Sequence, residues 1–219
     1  MPDSSSSLPR SFWIGSSFLF GLLGLMYLAY VVQFAREHYH SKLPVIGHIA
    51  DFTLTNQDNQ IFTLDGLTNH VWVADIIFTR CGGPCPIMTG HMRSLQTTLP
   101  ETSEAKLVTL TTDPDFDTPA VMNKYGQKFD ADFKNWIFLT GTKKEIAALG
   151  SDSLKLSSVP VKLDEQKNPV DLFIHSTYFV VVDKHAQLRA VFETGGDGVE
   201  WTNVQPQIVK TVHQLEREP

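Results

Sequence analysis

Val71-Trp72-Val73-Ala74-Asp75-Ile76-Ile77-Phe78-Thr79 runs directly into Arg80-Cys81-Gly82-Gly83-Pro84-Cys85-Pro86, and this stretch decides the fold. Its first part is dominated by Val, Ile and Phe, the composition of a strand buried on both faces. The cysteine loop interrupts it. Beyond the loop, Ile87, Met88, Met92, Leu95 and Leu99 recur at roughly helical spacing, and Pro100 ends the run. The local reading is a buried strand, a tight loop carrying the chain's two cysteines, and a helix.

That loop carries the strongest chemical signal. A helix amino terminus offers partial positive charge and free N–H donors, which favour thiolate over thiol. Gly82 and Gly83 let the loop fold tightly enough to bring both sulfurs to one side, while Pro84 and Pro86 stiffen it. A disulfide across so short a loop removes little chain entropy, so the pair reads as chemical rather than stabilising. CxxC is the usual redox spacing. The extra residue here widens the bite, which suits a disulfide and equally two thiolates on one metal ion.

Two soft sulfurs alone do not close a selective metal site, so a third ligand is expected. Of the eight histidines, His38, His40 and His213 read as solvent-facing, and His48, His70 and His185 fall in loops or turns. His91 follows Cys85 by six residues, more than a turn and a half along the same helix. His175 differs, because it stands immediately before the apolar run Tyr178–Val182. In thioredoxin-like folds the segment that leads into this strand lies beside the cysteine loop. Met88 and Met92 read as core residues rather than thioether ligands. Asp113, Asp115 and Asp117, set among Pro114, Thr118 and Pro119, read as a loop leading into a helix rather than a hard-cation cluster.

Outward from the loop, the remaining segments alternate between strand and helix. Asp51–Leu54 and Gln60–Leu64 flank a polar turn and predict a hairpin. Leu107–Leu110 and Trp136–Leu139 read as further strands. Thr118 followed by Pro119 opens a helix to about Phe129, and Thr142 with Glu145 forms a capping box ahead of another. Thr177–Val182 and Leu188–Phe192 bracket a turn, and a last helix is expected from near Val204 to Leu215. The pattern predicts an α/β domain, a mixed sheet with helices on both faces.

The amino-terminal region is different in kind. From Phe12 to Ala35, 24 consecutive positions carry no Asp, Glu, Lys or Arg. About 20 apolar residues at ~1.5 Å rise span a ~30 Å hydrocarbon core, so the run is long enough for one crossing. A cleaved signal has a shorter apolar core, ~7–15 residues. The expected organisation is a tail over 1–11, a transmembrane anchor over 12–35, a linker over 36–43 and a domain over 44–219. Trp13, Tyr27, Tyr30 and Tyr39 suit interfacial anchoring. Charges flanking the span are nearly balanced and leave the orientation open.

Of 219 residues, 18 are Lys or Arg and 24 are Asp or Glu; residues 43–219 hold 15 and 22 of these. Such an acidic domain has no basic stripe to neutralise phosphates, so nucleic acid is not an expected partner. The composition also excludes a disordered chain, a collagen, a polytopic transporter and a disulfide-rich mini-protein.

Four segments together resemble the SCO/SenC family of membrane-anchored copper-binding proteins. They are Phe78–Pro86, Thr112–Pro119, Leu139–Thr142 and His175–Asp183. The resemblance implies a thioredoxin-like fold with an amino-terminal anchor, and copper held by Cys81, Cys85 and His175. It implies delivery to the binuclear copper centre of a haem-copper oxidase, with the oxidase subunit, other copper chaperones and thiol reductases as partners. The domain would face the periplasm or the mitochondrial intermembrane space. Where the family often has an acidic and a large apolar residue between its cysteines, this chain has Gly82-Gly83-Pro84. A thiol–disulfide oxidoreductase acting on an oxidase subunit is the alternative function, and a redox or copper sensor a third.

Overall fold

Every residue of Trp72–Ile77 is buried, as a strand covered on both faces requires. This computed structural model describes residues 20–33, 43–156, 159–160, 173–174, 177–196 and 198–218. The chain divides into two compact units, Met1–Lys42 and Leu43–Pro219. In the first, residues 20–33 form helix α1, with Phe20, Leu23, Leu25 and Tyr27 among its exposed side chains. No helix among the described residues is long and apolar enough to cross a membrane. Residues 12–19 and 34–35 of the expected span lie outside the described residues.

The second unit contains strands β1 (Gly47–His48), β2 (Thr53–Asn56), β3 (Ile61–Thr63), β4 (Trp72–Ile77), β5 (Lys106–Thr111), β6 (Trp136–Thr140), β7 (Val159–Pro160), β8 (Phe173–Ile174), β9 (Tyr178–Val182) and β10 (Gln187–Glu193). Its helices are α2 (Cys85–Thr98), α3 (Pro119–Lys128), α4 (Lys143–Ala147) and α5 (Trp201–Arg217). Eight strands form one sheet in the order β1-β10-β9-β4-β5-β6-β2-β3, and β7 pairs with β8 separately. The β4–β5 and β5–β6 pairs are parallel and the others antiparallel, so the sheet is mixed as expected. On one face, Met88, Met92 and Leu95 of α2, Met122 of α3 and Ile208 and Val212 of α5 pack with Val73, Leu107 and Val181. On the other, Ile146 and Leu149 pack with Trp72, Ala74 and Ile76. The two-residue period of β4 divides its side chains between these cores. Met88 and Met92 are core residues.

Local chemistry explains the connections. In the β2–β3 turn, Asn56 Oδ1 accepts from the N–H of Asp58 at 3.0 Å and of Gln60 at 2.9 Å. Asn59 takes φ of 59°, a region Asn tolerates. Thr142 and Glu145 complete the predicted capping box of α4. Thr118 occupies the N-cap position of α3, but its side chain makes no capping hydrogen bond. The proline after it already has the right φ and no N–H to satisfy. Helix α5 starts at Trp201, ahead of the expected Val204, and accommodates Pro206 within it.

Gly126 marks the tightest helix packing. A Cβ there would lie 2.6 Å from Phe133 Cε1 and 2.9 Å from Phe138 Cε2. Gly126→Ala is therefore expected to destabilise the fold by about 1–3 kcal/mol, although Ala is intrinsically ~1 kcal/mol the better helix former. A denaturant midpoint at or above wild type would mean that the rings give way freely.

Candidate functional site

Strand β4 and helix α2 meet at the cysteine loop. Cys81 lies three residues past Phe78 and donates its N–H to the Phe78 carbonyl at 3.2 Å, while Cys85 is the first residue of α2. Both are buried and not joined as a disulfide, and they cluster with Ile77 and Phe78 against Tyr125. The Gly83 N–H donates to Cys81 Sγ at 3.4 Å, and a Cβ at Gly83 would lie 3.9 Å from that sulfur, so the contact does not require glycine. The structure thus brings the two predicted cysteines together.

Their protonation differs from expectation. A helix terminus alone would favour thiolate, yet the Cys85 thiol is held well above its ordinary range. The first cause is its hydrogen bond with Cys81, and the second is burial. A hydrogen bond with the Phe78 backbone opposes these two effects without outweighing them. A cation bound beside Cys85 would offset the effects that hold the proton on its thiol.

The loop preceding α3 fixes where the strand ends. Asp117 is fully buried and accepts the Thr79 N–H at 3.0 Å, together with the hydroxyls of Thr79 and Thr111. Burial pushes its carboxyl up, and the Thr111 and Thr79 hydrogen bonds oppose this. Asp113 pairs with Arg80, whose guanidinium stacks 4.1 Å above the Phe116 ring. Asp115 pairs instead with Lys143. The three carboxylates face three different partners, as a loop leading into a helix rather than a cation cluster. Sequence reasoning recovered the loop but not its task of anchoring Thr79 and Arg80 directly before Cys81.

From the other side, Thr89 donates to the Cys85 carbonyl at 2.9 Å and shares a 2.9 Å hydrogen bond with the Tyr125 hydroxyl. Burial pushes that phenol up. His91 stacks on Trp201, with ring centroids 4.1 Å apart. His70 Nδ1 lies 2.9 Å from the Glu104 carbonyl. His175 lies outside the described residues, as do His38 and His40. Among the described residues no group of three or more His, Cys, Asp or Glu is arranged to hold a metal ion.

Asp75 was not singled out from the sequence, although an acid inside an apolar run was the available signal. It is fully buried in β4, and Oδ1 accepts from Thr109 at 2.7 Å. Burial raises its carboxyl to about 7.

A helix-flanked mixed sheet with a dithiol at a strand–helix junction defines a thioredoxin-like domain. A family profile described as SCO1/SenC matches residues 44–208, and the chain belongs to that family. The SCO1 protein homolog of Bacillus subtilis (strain 168) is 36% identical over 143 residues, 64% of this chain and 71% of that protein. A Stutzerimonas stutzeri relative, whose name assigns it provisionally to copper binding, is 33% identical over 149 residues, 67% of this chain and 70% of its own length. Among solved structures, BsSco matches with a TM-score of 0.66 and 27% identity over 82% of this chain and all of its own. BsSco is described as a member of the Sco family of cytochrome c oxidase assembly proteins with a disulfide switch.

Proposed function

We propose that this chain is a membrane-anchored copper metallochaperone. It carries one copper ion on Cys81, Cys85 and His175 and delivers it to the copper centre of a haem-copper oxidase. The observation that carries this reading is the buried thiol pair, hydrogen-bonded together at the start of α2. Thiolates suit Cu(I), and one imidazole added to two sulfurs gives a trigonal site open to either oxidation state. The cation takes the place of the proton that the Cys81 hydrogen bond and burial otherwise hold on Cys85. The Stutzerimonas relative's name supports copper as the cargo, and BsSco's description supports an oxidase as the recipient.

The uncharged stretch 12–35 anchors the chain, and the domain works on the extracytoplasmic side, periplasmic or in the mitochondrial intermembrane space. Its partners are the copper-receiving oxidase subunit, other copper chaperones and thiol reductases. An oxidised Cys81–Cys85 pair cannot bind copper, so loading follows reduction.

Cu(I) titration of the reduced full chain in detergent tests the reading. A stoichiometry near one is expected, with affinity lost in His175→Ala by at least the ~10–100-fold typical of outer-shell changes around a metal. Absence of copper binding by the wild-type chain ends the proposal. The shared Cys81–Cys85 hydrogen bond favours a second reading, a thiol–disulfide oxidoreductase acting on an oxidase subunit. That activity would survive His175→Ala and disappear in Cys81→Ser.

A further inference from the structure

Asp75 is an acid in the middle of the central strand with half of its carboxylate unused. Oδ1 accepts the Thr109 hydroxyl, which in turn accepts Trp136 Nε1–H at 2.9 Å. Oδ2 is buried and has no hydrogen-bond partner among the described residues. Burying an acceptor without a partner carries a real cost, so this oxygen invites a reason.

Its position supplies one. Alternation along β4 puts Val73, Asp75 and Ile77 on the same face. Val73 packs in the core with Met88 and Met92 of α2, and Ile77 packs with Cys81 and Cys85. Asp75 therefore lies between the two, on the sheet face that the cysteine-bearing helix covers. The titratable groups that sense its charge are Cys85 on α2 and Tyr125 on α3, and Cys81 interacts with both. Strand β5 presents the uncharged Thr109, and the buried side chains of β9 and α5, such as Phe179, Ile208 and Thr211, carry no charge.

We propose that Asp75 is the proton-exchanging group coupled to the oxidation state of the copper carried by the cysteine pair. This rests on the copper reading above. Two thiolates with Cu(I) carry one net negative charge, and with Cu(II) they carry none. Beside the negative complex Asp75 stays protonated. When a one-electron oxidant removes the electron from Cu(I), Asp75 ionises and its proton leaves to solvent. Reduction by a one-electron donor returns the proton to Asp75. No bond to either sulfur changes. A carboxyl already raised to about 7 by burial is poised for one neighbouring charge to move its proton at neutral pH.

The full chain loaded with one copper tests this through its Cu(II)/Cu(I) midpoint potential, poised with soluble one-electron mediators between pH 6 and pH 8. The potential is expected to fall as pH rises, approaching 59 mV per unit, a tenfold change in the equilibrium for each tenfold change in proton activity. Asp75→Asn should flatten that dependence. An infrared difference spectrum of the wild-type chain, which needs no variant, should lose a protonated-carboxyl band on oxidation. A pH-independent potential with copper bound, or an unchanged carboxyl band, overturns the Asp75 proposal alone. Failure of the wild-type chain to bind copper overturns both it and the function on which it rests.

Discussion

Replacing Arg189 with Ala is expected to cost about 3–5 kcal/mol of folding stability, the loss typical of removing one partner from a buried ion pair. Arg189 is 6% exposed and Asp183 3%, with 2.6 Å between them. The guanidinium also reaches Glu218 at 2.9 Å and donates to the Leu43 carbonyl at 2.7 and 3.2 Å. One side chain thus ties the start of the domain, the β9–β10 turn and the end of α5 together. Removal strands the Asp183 charge and leaves the Leu43 carbonyl without its donors. Arg189→Lys keeps the charge but loses the planar fork, so an intermediate loss is expected. The comparison is Arg93→Ala. Arg93 and Asp130 also sit 2.6 Å apart, but both are exposed, so no more than about 1 kcal/mol is at stake. Urea midpoints measure both losses, and similar shifts for the two substitutions would refute the distinction.

Asp75→Asn should change how stability depends on pH. The folded carboxyl is raised from 3.8 to about 7, chiefly by burial. Its stabilising contribution is therefore fully present below the unfolded value and is lost as pH rises from about 4 to about 7. A rise of that size is worth about 4 kcal/mol across the whole window. Asn stays neutral throughout. Its amide leaves a buried donor in search of a partner, a cost that does not vary with pH. The variant's stability relative to wild type should therefore rise by roughly 2–3 kcal/mol between pH 5 and pH 8. Parallel urea curves at the two pH values would show that Asp75 does not titrate in this window.

Both experiments turn on acids that look alike in the sequence. Asp75, Asp113, Asp117 and Asp183 differ only in what surrounds them. The hairpin at Asp183 was legible because its side chain bonds its own turn: Oδ1 accepts the N–H of His185 and of Gln187, each at 2.9 Å. The partners of Asp117 include Thr79, 38 residues away, and those of Asp75 include Thr109, 34 away. Spacing carries no trace of such pairs. The strand before Cys81, the helix after it and the capping box at Thr142 were all readable, since each depends on residues within a turn or two. The state of Cys85 was not, because it is set by its hydrogen bond with Cys81 and then by burial, neither of which spacing reveals.

From the chain alone came the order of the longer strands and the helices, though not the two-residue strands β1, β7 and β8, together with the pairing of Cys81 with Cys85, the core role of Met88 and Met92, and the family. Periodicity, turn chemistry and short loops act over a few residues, so they are written locally. The tertiary structure decided that β4 lies between β9 and β5. It also decided that Asp117 anchors the end of that strand, that Asp75 sits under the cysteine helix, and that Arg189 joins Leu43 to Glu218. Those outcomes depend on which distant surfaces exclude water together, and only the folded chain sets that dielectric and those neighbours.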